Sequence, residues 1–124
     1  MNIPPIRLAV AGVGGRMGRE VVAAAGSDAR FVLVGGTVRP EAAGAAAAGA
    51  PADSAGAAPA GVRVADDPRA VVPDADVTID VSGPAGTLAH ARVCADYGVP
   101  LVSGVTGLSA AEMGQLRRLA ERTP

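Results

Sequence analysis

Short apolar runs alternate along the chain with longer segments in which apolar side chains recur at helical spacing. The runs are rich in Val, Leu, Ile and Ala, a composition typical of strands buried in a sheet. We predict five strands, at residues 7–11, 31–38, 62–65, 77–81 and 100–103. A pair of glycines in the second run indicates the close approach of another segment at residues 35–36.

The segments between these runs carry the start and stop signals of helices. We predict helices at residues 16–25, 67–72, 84–97 and 109–122. Asp67 precedes a proline and fits an N-cap, while Ser109 and Glu112 have the spacing of a capping box. Gly98 follows the third helix, as expected for a residue that ends a helix.

Strands that alternate with helices are joined by right-handed crossovers and form a parallel sheet. The sequence therefore predicts an α/β fold, a doubly wound parallel sheet of the Rossmann type. Residues 1–124 form a single domain in this interpretation. It is incomplete at its C-terminal end, because such domains often have six strands. An Ala-, Gly- and Pro-rich stretch at residues 40–61 is expected to be a loop.

Composition narrows the possible functions. The 124 residues include 11 basic residues, all Arg, and 12 acidic ones, with a net charge of −1. Because no basic stripe is present, nucleic acid is not expected as a partner. The single cysteine, Cys94, allows neither an internal disulfide nor a multi-cysteine metal site. Together with the absence of a signal peptide and of a long apolar run, this indicates a cytoplasmic protein without a membrane span or a metal.

A glycine pattern follows the first predicted strand. Gly12, Gly15 and Gly18 lie within residues 11–18 (AGVGGRMG). The first glycine permits a tight turn, the second lets a pyrophosphate approach the backbone, and the third lets the helix pack on the strand. Free N–H groups at the helix start attract phosphate. Between a strand and a helix this pattern predicts a dinucleotide site; a glycine-rich turn without a ligand is the alternative.

Further polar segments lie at the ends of other predicted strands. An acidic residue after the second strand favours NAD, whereas an Arg favours NADP. This chain has Arg39 there, so we expect NADPH to be preferred, although Glu41 remains a possible ribose ligand and Arg39 a solvated loop charge. Residues 104–107 (GVTG) follow the fifth strand, and residues 82–84 (SGP) follow the fourth. Both are either ordinary turns or the nicotinamide side of the site, where Thr106 is placed to hydrogen-bond the cofactor.

Three segments together resemble the 4-hydroxy-tetrahydrodipicolinate reductase family, also called dihydrodipicolinate reductase. They are residues 10–18 (VAGVGGRMG), residues 80–84 (DVSGP) with the Thr, Leu and His that follow, and residues 104–108 (GVTGL). The resemblance implies an NAD(P)-binding Rossmann domain joined to a second domain, which binds substrate and forms a homotetramer. The implied reaction transfers a hydride from NADPH or NADH to a cyclic dicarboxylate, giving tetrahydrodipicolinate in lysine and diaminopimelate biosynthesis.

Carried over by position, the resemblance implies cofactor contacts in the glycine-rich turn, at the end of the second strand and after the fifth. These residues are Gly12, Val13, Gly14, Gly15, Arg16, Met17, Arg39, Gly104, Val105 and Thr106. Two of them depart from the family pattern. Val105 stands where the family usually has Thr, which removes a hydroxyl, and Arg39 stands where many members have an acidic residue.

The resemblance places the catalytic groups, a pair of His and a Lys, in the second domain. This chain has no Lys and one His, so no catalytic residue is assigned. His90 lies inside a predicted helix and is expected to be structural, as is Cys94 on the same helix. We interpret the chain as the cofactor-binding part of such a reductase, inactive by itself because the substrate domain is missing. The alternatives are a stand-alone NAD(P)H-binding regulatory module and another Rossmann oxidoreductase.

Overall fold

The computed structural model describes residues 3–39 and 62–124, so the loop predicted at 40–61 lies outside the described residues. The described part contains five strands in one parallel sheet, in the order β3-β2-β1-β4-β5. Their bounds are β1 Ile6–Ala11, β2 Phe31–Thr37, β3 Val64–Ala65, β4 Val77–Asp80 and β5 Leu101–Ser103. The sheet is extended on both sides of β1, which confirms the predicted doubly wound fold.

Three α-helices lie within the described ranges; the first two connect strands and the third follows β5. They are α1 (Arg16–Gly26), α2 (Pro84–Tyr97) and α3 (Ala110–Ala120). Gly98 ends α2 in the left-handed conformation with φ 67°, as its position predicts. The capping box of α3 is also present: Glu112 N–H donates to Ser109 Oγ at 3.1 Å, and Ser109 N–H donates to Glu112 Oε1 at 2.8 Å.

The prediction of a short helix at residues 67–72 is corrected by the structure. Two successive 3₁₀ turns, Pro68–Ala70 and Val72–Asp74, take its place. Asp67 still caps the first turn, because its carboxylate accepts from Arg69 N–H at 2.9 Å. Pro73 explains the difference, since it has no N–H for an α-helical hydrogen bond and its ring would clash with the preceding turn.

The core consists of two layers, one on each face of the sheet. Side chains alternate along β1, so that Ala9 points into one layer while Leu8 and Val10 point into the other. Residues of α2 and of the segment with the two 3₁₀ turns pack in the first layer, and residues of α1 pack in the second. Cys94 of α2 is fully buried, which raises the pKa of its thiol and confirms its expected packing role.

None of the helices in residues 3–39 and 62–124 is long and apolar enough to cross a membrane.

Candidate functional site

The candidate site lies at the sheet edge where the parallel strands end. Ala11 pairs with Thr37 on one side and with Asp80 on the other, and Asp80 pairs with Ser103. The last residues of four neighbouring strands therefore form a row across the sheet. The turns that follow these strands are side by side at this edge, where open parallel sheets bind ligands.

The turn between β1 and α1 depends on the absence of a side chain at Gly12. This residue has φ +82°, and a Cβ built on it would lie 2.8 Å from the Ser82 Cα and 2.9 Å from the Val81 carbonyl oxygen. The N–H groups of Gly12 and Val13 both donate to the Thr37 carbonyl, at 3.0 and 3.1 Å. The turn is thus held between the ends of β2 and β4.

The third glycine of the pattern has the packing role that the sequence predicts. A Cβ on Gly18 would lie 2.1 Å from the Gly12 carbonyl oxygen and 2.7 Å from the Val13 Cα. The side chain of Val13 is fully buried and fills the space over Gly36, where a Cβ would come within 2.5 Å of the Val13 Cβ. The glycines of β2 therefore do allow a close approach. Because the Val13 side chain is buried and its N–H donates to the Thr37 carbonyl, only the carbonyl of Val13 remains for a ligand.

The first turn of α1 is free of local side-chain capping. Gly15 is the N-cap, makes no side-chain cap hydrogen bond, and is exposed. The first turn contains no acidic residue. Arg16 and Met17 are both exposed at this helix start, Met17 at 59%. The backbone N–H groups and the positive end of the helix dipole therefore face solvent together with a guanidinium group, an arrangement that favours an anion.

The end of β4 carries a buried carboxylate to which the sequence analysis gave no role. Asp80 is fully buried. Its Oδ1 accepts from Ser82 N–H at 3.0 Å and from Ser82 Oγ at 2.5 Å. Its Oδ2 accepts from Thr87 Oγ1 at 2.5 Å and from Ser103 Oγ at 2.9 Å. The available signal was an Asp in an apolar strand, because a buried charge needs hydrogen-bond partners.

The turn after β5 is hydrogen-bonded to Asp80 directly and through Ser103. Gly104 N–H donates to the Asp80 carbonyl at 2.9 Å, and Val105 N–H donates to Ser103 Oγ at 3.2 Å. Gly104 and Thr106 are exposed, and Val105 is half-buried. Because the Val105 N–H is engaged within the chain, a backbone contact from Val105 to a ligand would use its carbonyl.

His90 connects α2 to the end of β2. Its Nδ1 lies 2.7 Å from the Gly86 carbonyl, which can only accept, so Nδ1 carries the hydrogen. Nε2 then accepts from the Thr37 hydroxyl at 2.6 Å. Both side chains are buried, which confirms the structural role expected for His90.

Arg39 is exposed two residues beyond the end of β2, at the same edge as the glycine turn. The sheet thus brings the turn of residues 12–15, Arg39 and the turn of residues 104–107 to one side of the domain. Within residues 3–39 and 62–124, no group of three or more His, Cys, Asp or Glu side chains is placed to hold a metal ion. The arrangement offers backbone donors and arginines to an extended anionic ligand.

Comparison with known proteins shows the family to which the chain is similar. The family model described as "Dihydrodipicolinate reductase, N-terminus" matches residues 6–124. The 4-hydroxy-tetrahydrodipicolinate reductase of Chromohalobacter salexigens is 42% identical over 119 residues, covering 95% of this chain and 43% of the relative. The chain therefore spans less than half the length of this relative.

Two solved structures are similar in fold. A dipicolinate-bound dihydrodipicolinate reductase from Paenisporosarcina sp. TG-14 matches with a TM-score of 0.73 at 26% identity, over 94% of this chain and 43% of that one. The WlbA dehydrogenase of Chromobacterium violaceum, solved with NADH and UDP-GlcNAcA, matches with a TM-score of 0.68 at 20% identity, over 98% of this chain and 34% of that one. The second likeness concerns the fold alone.

Proposed function

Because the chain belongs to the dihydrodipicolinate reductase N-terminal family, we propose that it supplies the cofactor-binding part of an NAD(P)H-dependent 4-hydroxy-tetrahydrodipicolinate reductase. The match of the family model over residues 6–124 supports this assignment. The single observation that carries the binding function is the bare turn at residues 12–15, which opens an α-helix without a side-chain cap.

In this proposal the diphosphate of the cofactor binds at the start of α1. Glycines in the turn leave room for phosphate oxygens near the backbone, and the N–H groups of the first helical turn remain as donors. Arg16 adds a positive charge at the helix start, where it is exposed. The residues assigned to this half of the site are Gly12, Val13, Gly14, Gly15, Arg16 and Met17.

The two ends of the cofactor then extend along the row of strand ends. Arg39 binds the adenosine side and, with a 2′-phosphate as its partner, favours NADPH over NADH. Gly104, Val105 and Thr106 lie on the nicotinamide side. They follow β5, which is separated from β2 by the two strands β1 and β4. When bound, the nicotinamide supplies the hydride, while this chain holds and orients the ring.

Substrate binding is assigned to a second domain, and the substrate class is a cyclic dicarboxylate. The dipicolinate found in the Paenisporosarcina reductase supports this class. The full-length enzyme is proposed to act as a cytoplasmic homotetramer. This chain alone should not turn over, since positioning two reactants can contribute about 7–11 kcal/mol to lowering a barrier and no residue of the chain is assigned to the substrate.

Calorimetric titration of the chain with NADPH and NADH tests the binding function. We expect both to bind, NADPH more tightly. The variant Arg39→Gln should lose about tenfold in affinity for NADPH, the scale of one hydrogen bond to a charged group, and should bind NADH as before. Arg30→Gln is the matched control, because Arg30 pairs with Asp28 ahead of β2, at the opposite sheet edge.

The outcomes separate two claims. If neither nucleotide binds, the proposed function is wrong. If both bind but Arg39→Gln leaves the preference unchanged, only the role of Arg39 is wrong.

A further inference from the structure

Asp80 receives hydrogen bonds from three separate parts of the fold. Ser82 belongs to the turn between β4 and α2, Thr87 to the first turns of α2, and Ser103 to the end of β5. The Asp80 backbone makes a further bond, since its carbonyl accepts from Gly104 N–H at 2.9 Å. One residue therefore fixes the relative positions of two turns and one helix at the sheet edge.

The Ser103 hydroxyl links Asp80 by hydrogen bonds to the turn assigned to the nicotinamide side; we call this link the relay. The Ser103 hydroxyl donates to Asp80 Oδ2 at 2.9 Å, and its oxygen accepts from Val105 N–H at 3.2 Å. The donation to Asp80 directs the hydroxyl hydrogen away from Val105, so that a lone pair meets the Val105 N–H. The backbone of residues 104–105 is thus oriented by a carboxylate on the neighbouring strand.

On the other side, Ser82 contacts the glycine turn. The Ser82 backbone occupies the place that a Gly12 side chain would need, with its Cα 2.8 Å from the built Cβ. Ser82 is held by two hydrogen bonds to Asp80 Oδ1. The carboxylate therefore stands between the diphosphate side and the nicotinamide side of the candidate site.

Stability alone does not account for a carboxylate at this position. Taking a charge out of water costs several kcal/mol, and well-packed apolar residues often replace buried charges without loss of stability. Val77 and Ile79 of the same strand are apolar and pack against the core. What the carboxylate provides is a directed set of four acceptor contacts, which apolar packing cannot supply.

We propose that Asp80 is a positioning residue for the nicotinamide half of the cofactor, because it holds the turns after β4 and β5 in one arrangement. This proposal rests on the proposed cofactor function and deepens it. Asp80 does not touch the cofactor; it acts through Ser82, Ser103 and Val105. Its removal should therefore weaken the nicotinamide end of the ligand most. Loss of the Ser103 hydroxyl alone should spare the adenosine and diphosphate end, because Ser82 keeps its contacts with Asp80 and Gly12.

The test compares NADPH with 2′-phospho-ADP-ribose, which is the same nucleotide without the nicotinamide ring. Asp80→Asn replaces one carboxylate oxygen by an NH₂ group, so two of the four hydrogen bonds to this side chain lose their acceptor. NADPH affinity should fall about tenfold, which is the effect of losing one hydrogen bond to a charged group. The affinity for 2′-phospho-ADP-ribose should fall by less, because Asp80 reaches the diphosphate side only through Ser82. The enhancement of nicotinamide fluorescence on binding should fall as well.

Ser103→Ala is the second variant and cuts only the relay to Val105, leaving the other three contacts of Asp80 in place. It should lower NADPH affinity and leave the affinity for 2′-phospho-ADP-ribose within about twofold. This variant provides the test if Asp80→Asn does not fold. Asp76→Asn is the matched control, since Asp76 lies just before the opposite end of β4 and pairs with Arg7. Its binding of both nucleotides should equal that of the unmodified chain.

Equal weakening of both nucleotides in Ser103→Ala, or no change in either, would overturn the positioning role. If the unmodified chain binds 2′-phospho-ADP-ribose and NADPH equally well, there is no nicotinamide contact to position and the inference also fails, although the cofactor site stands. If the unmodified chain binds neither nucleotide, the proposed function fails and this inference fails with it.

Discussion

Replacing Gly18 by Ala should disrupt the turn on which the candidate site depends. Gly18 lies in the first turns of α1 and is buried. A Cβ at this position would lie 2.1 Å from the Gly12 carbonyl oxygen and 2.7 and 2.8 Å from the Val13 Cα and carbonyl carbon. All of these are backbone atoms, so a rotamer change elsewhere cannot relieve the contacts and α1 must move away from β1.

Two opposing effects decide the size of the change. Ala is favoured over Gly in a helix by about 1 kcal/mol. Overpacking a filled interior costs about 1–3 kcal/mol and occasionally more. Because the contact distance to Gly12 is far below a van der Waals separation, the upper part of that range applies, and Gly18→Ala should lower the free energy of unfolding by about 2 kcal/mol. Helix propensity alone predicts the opposite sign.

Urea unfolding followed by far-ultraviolet circular dichroism measures this change. With a slope of about 1.5 kcal/mol per molar urea, the midpoint should fall by roughly 1 M or more. Gly26→Ala is the matched control at the other end of the same helix. Nothing lies within 4 Å of a Cβ built there, so this variant should be unchanged or more stable by about 0.5 kcal/mol. The reasoning is wrong if Gly18→Ala is as stable as the unmodified chain, or more stable.

Two further substitutions test the polar contacts. Thr37→Val leaves the buried Nε2 of His90 without its donor and should lower the free energy of unfolding by about 1–3 kcal/mol; a change below about 0.5 kcal/mol would show that this bond contributes little. The Arg30 side chain lowers the pKa of Asp28 from 3.8 to about 2, so the stabilisation from this carboxylate is present above pH 3.8 and is lost as the pH falls towards 2. The melting temperature of the unmodified chain should therefore approach that of Asp28→Asn across this window, and a constant difference between them would contradict the assignment.

Much of the fold follows from patterns that are local in sequence. The capping box at Ser109 and the C-cap at Gly98 placed helix ends correctly, because the hydrogen bonds that define them involve residues three or four positions apart. The apolar runs placed the strands to within two residues. The helix predicted at residues 67–72 is wrong because an N-cap such as Asp67 can open a 3₁₀ turn as well as an α-helix, and Pro73 prevents the segment from continuing as an α-helix.

The polar connections at the strand ends were less visible in the sequence. Asp80 meets Ser103, and Thr37 meets His90, only because the fold brings β4 beside β5 and places His90 of α2 at the end of β2. No spacing rule joins residues so far apart. The glycine turn, by contrast, was found because its requirements are steric and local, although the contact of Gly12 with Ser82 needed the strand order as well.

The contact between Gly12 and Ser82 also bears on when the site forms during folding. The first β-α-β unit contains every glycine of the motif, yet its turn is closed only when β4 has docked beside β1. A partly folded or nascent chain that has made only this unit therefore lacks the finished pocket. A nucleotide that binds only the finished pocket stabilises the complete sheet, by about 2.7 kcal/mol when its concentration is a hundred times its dissociation constant. A folding intermediate in which β4 has not yet docked gains none of this stabilisation.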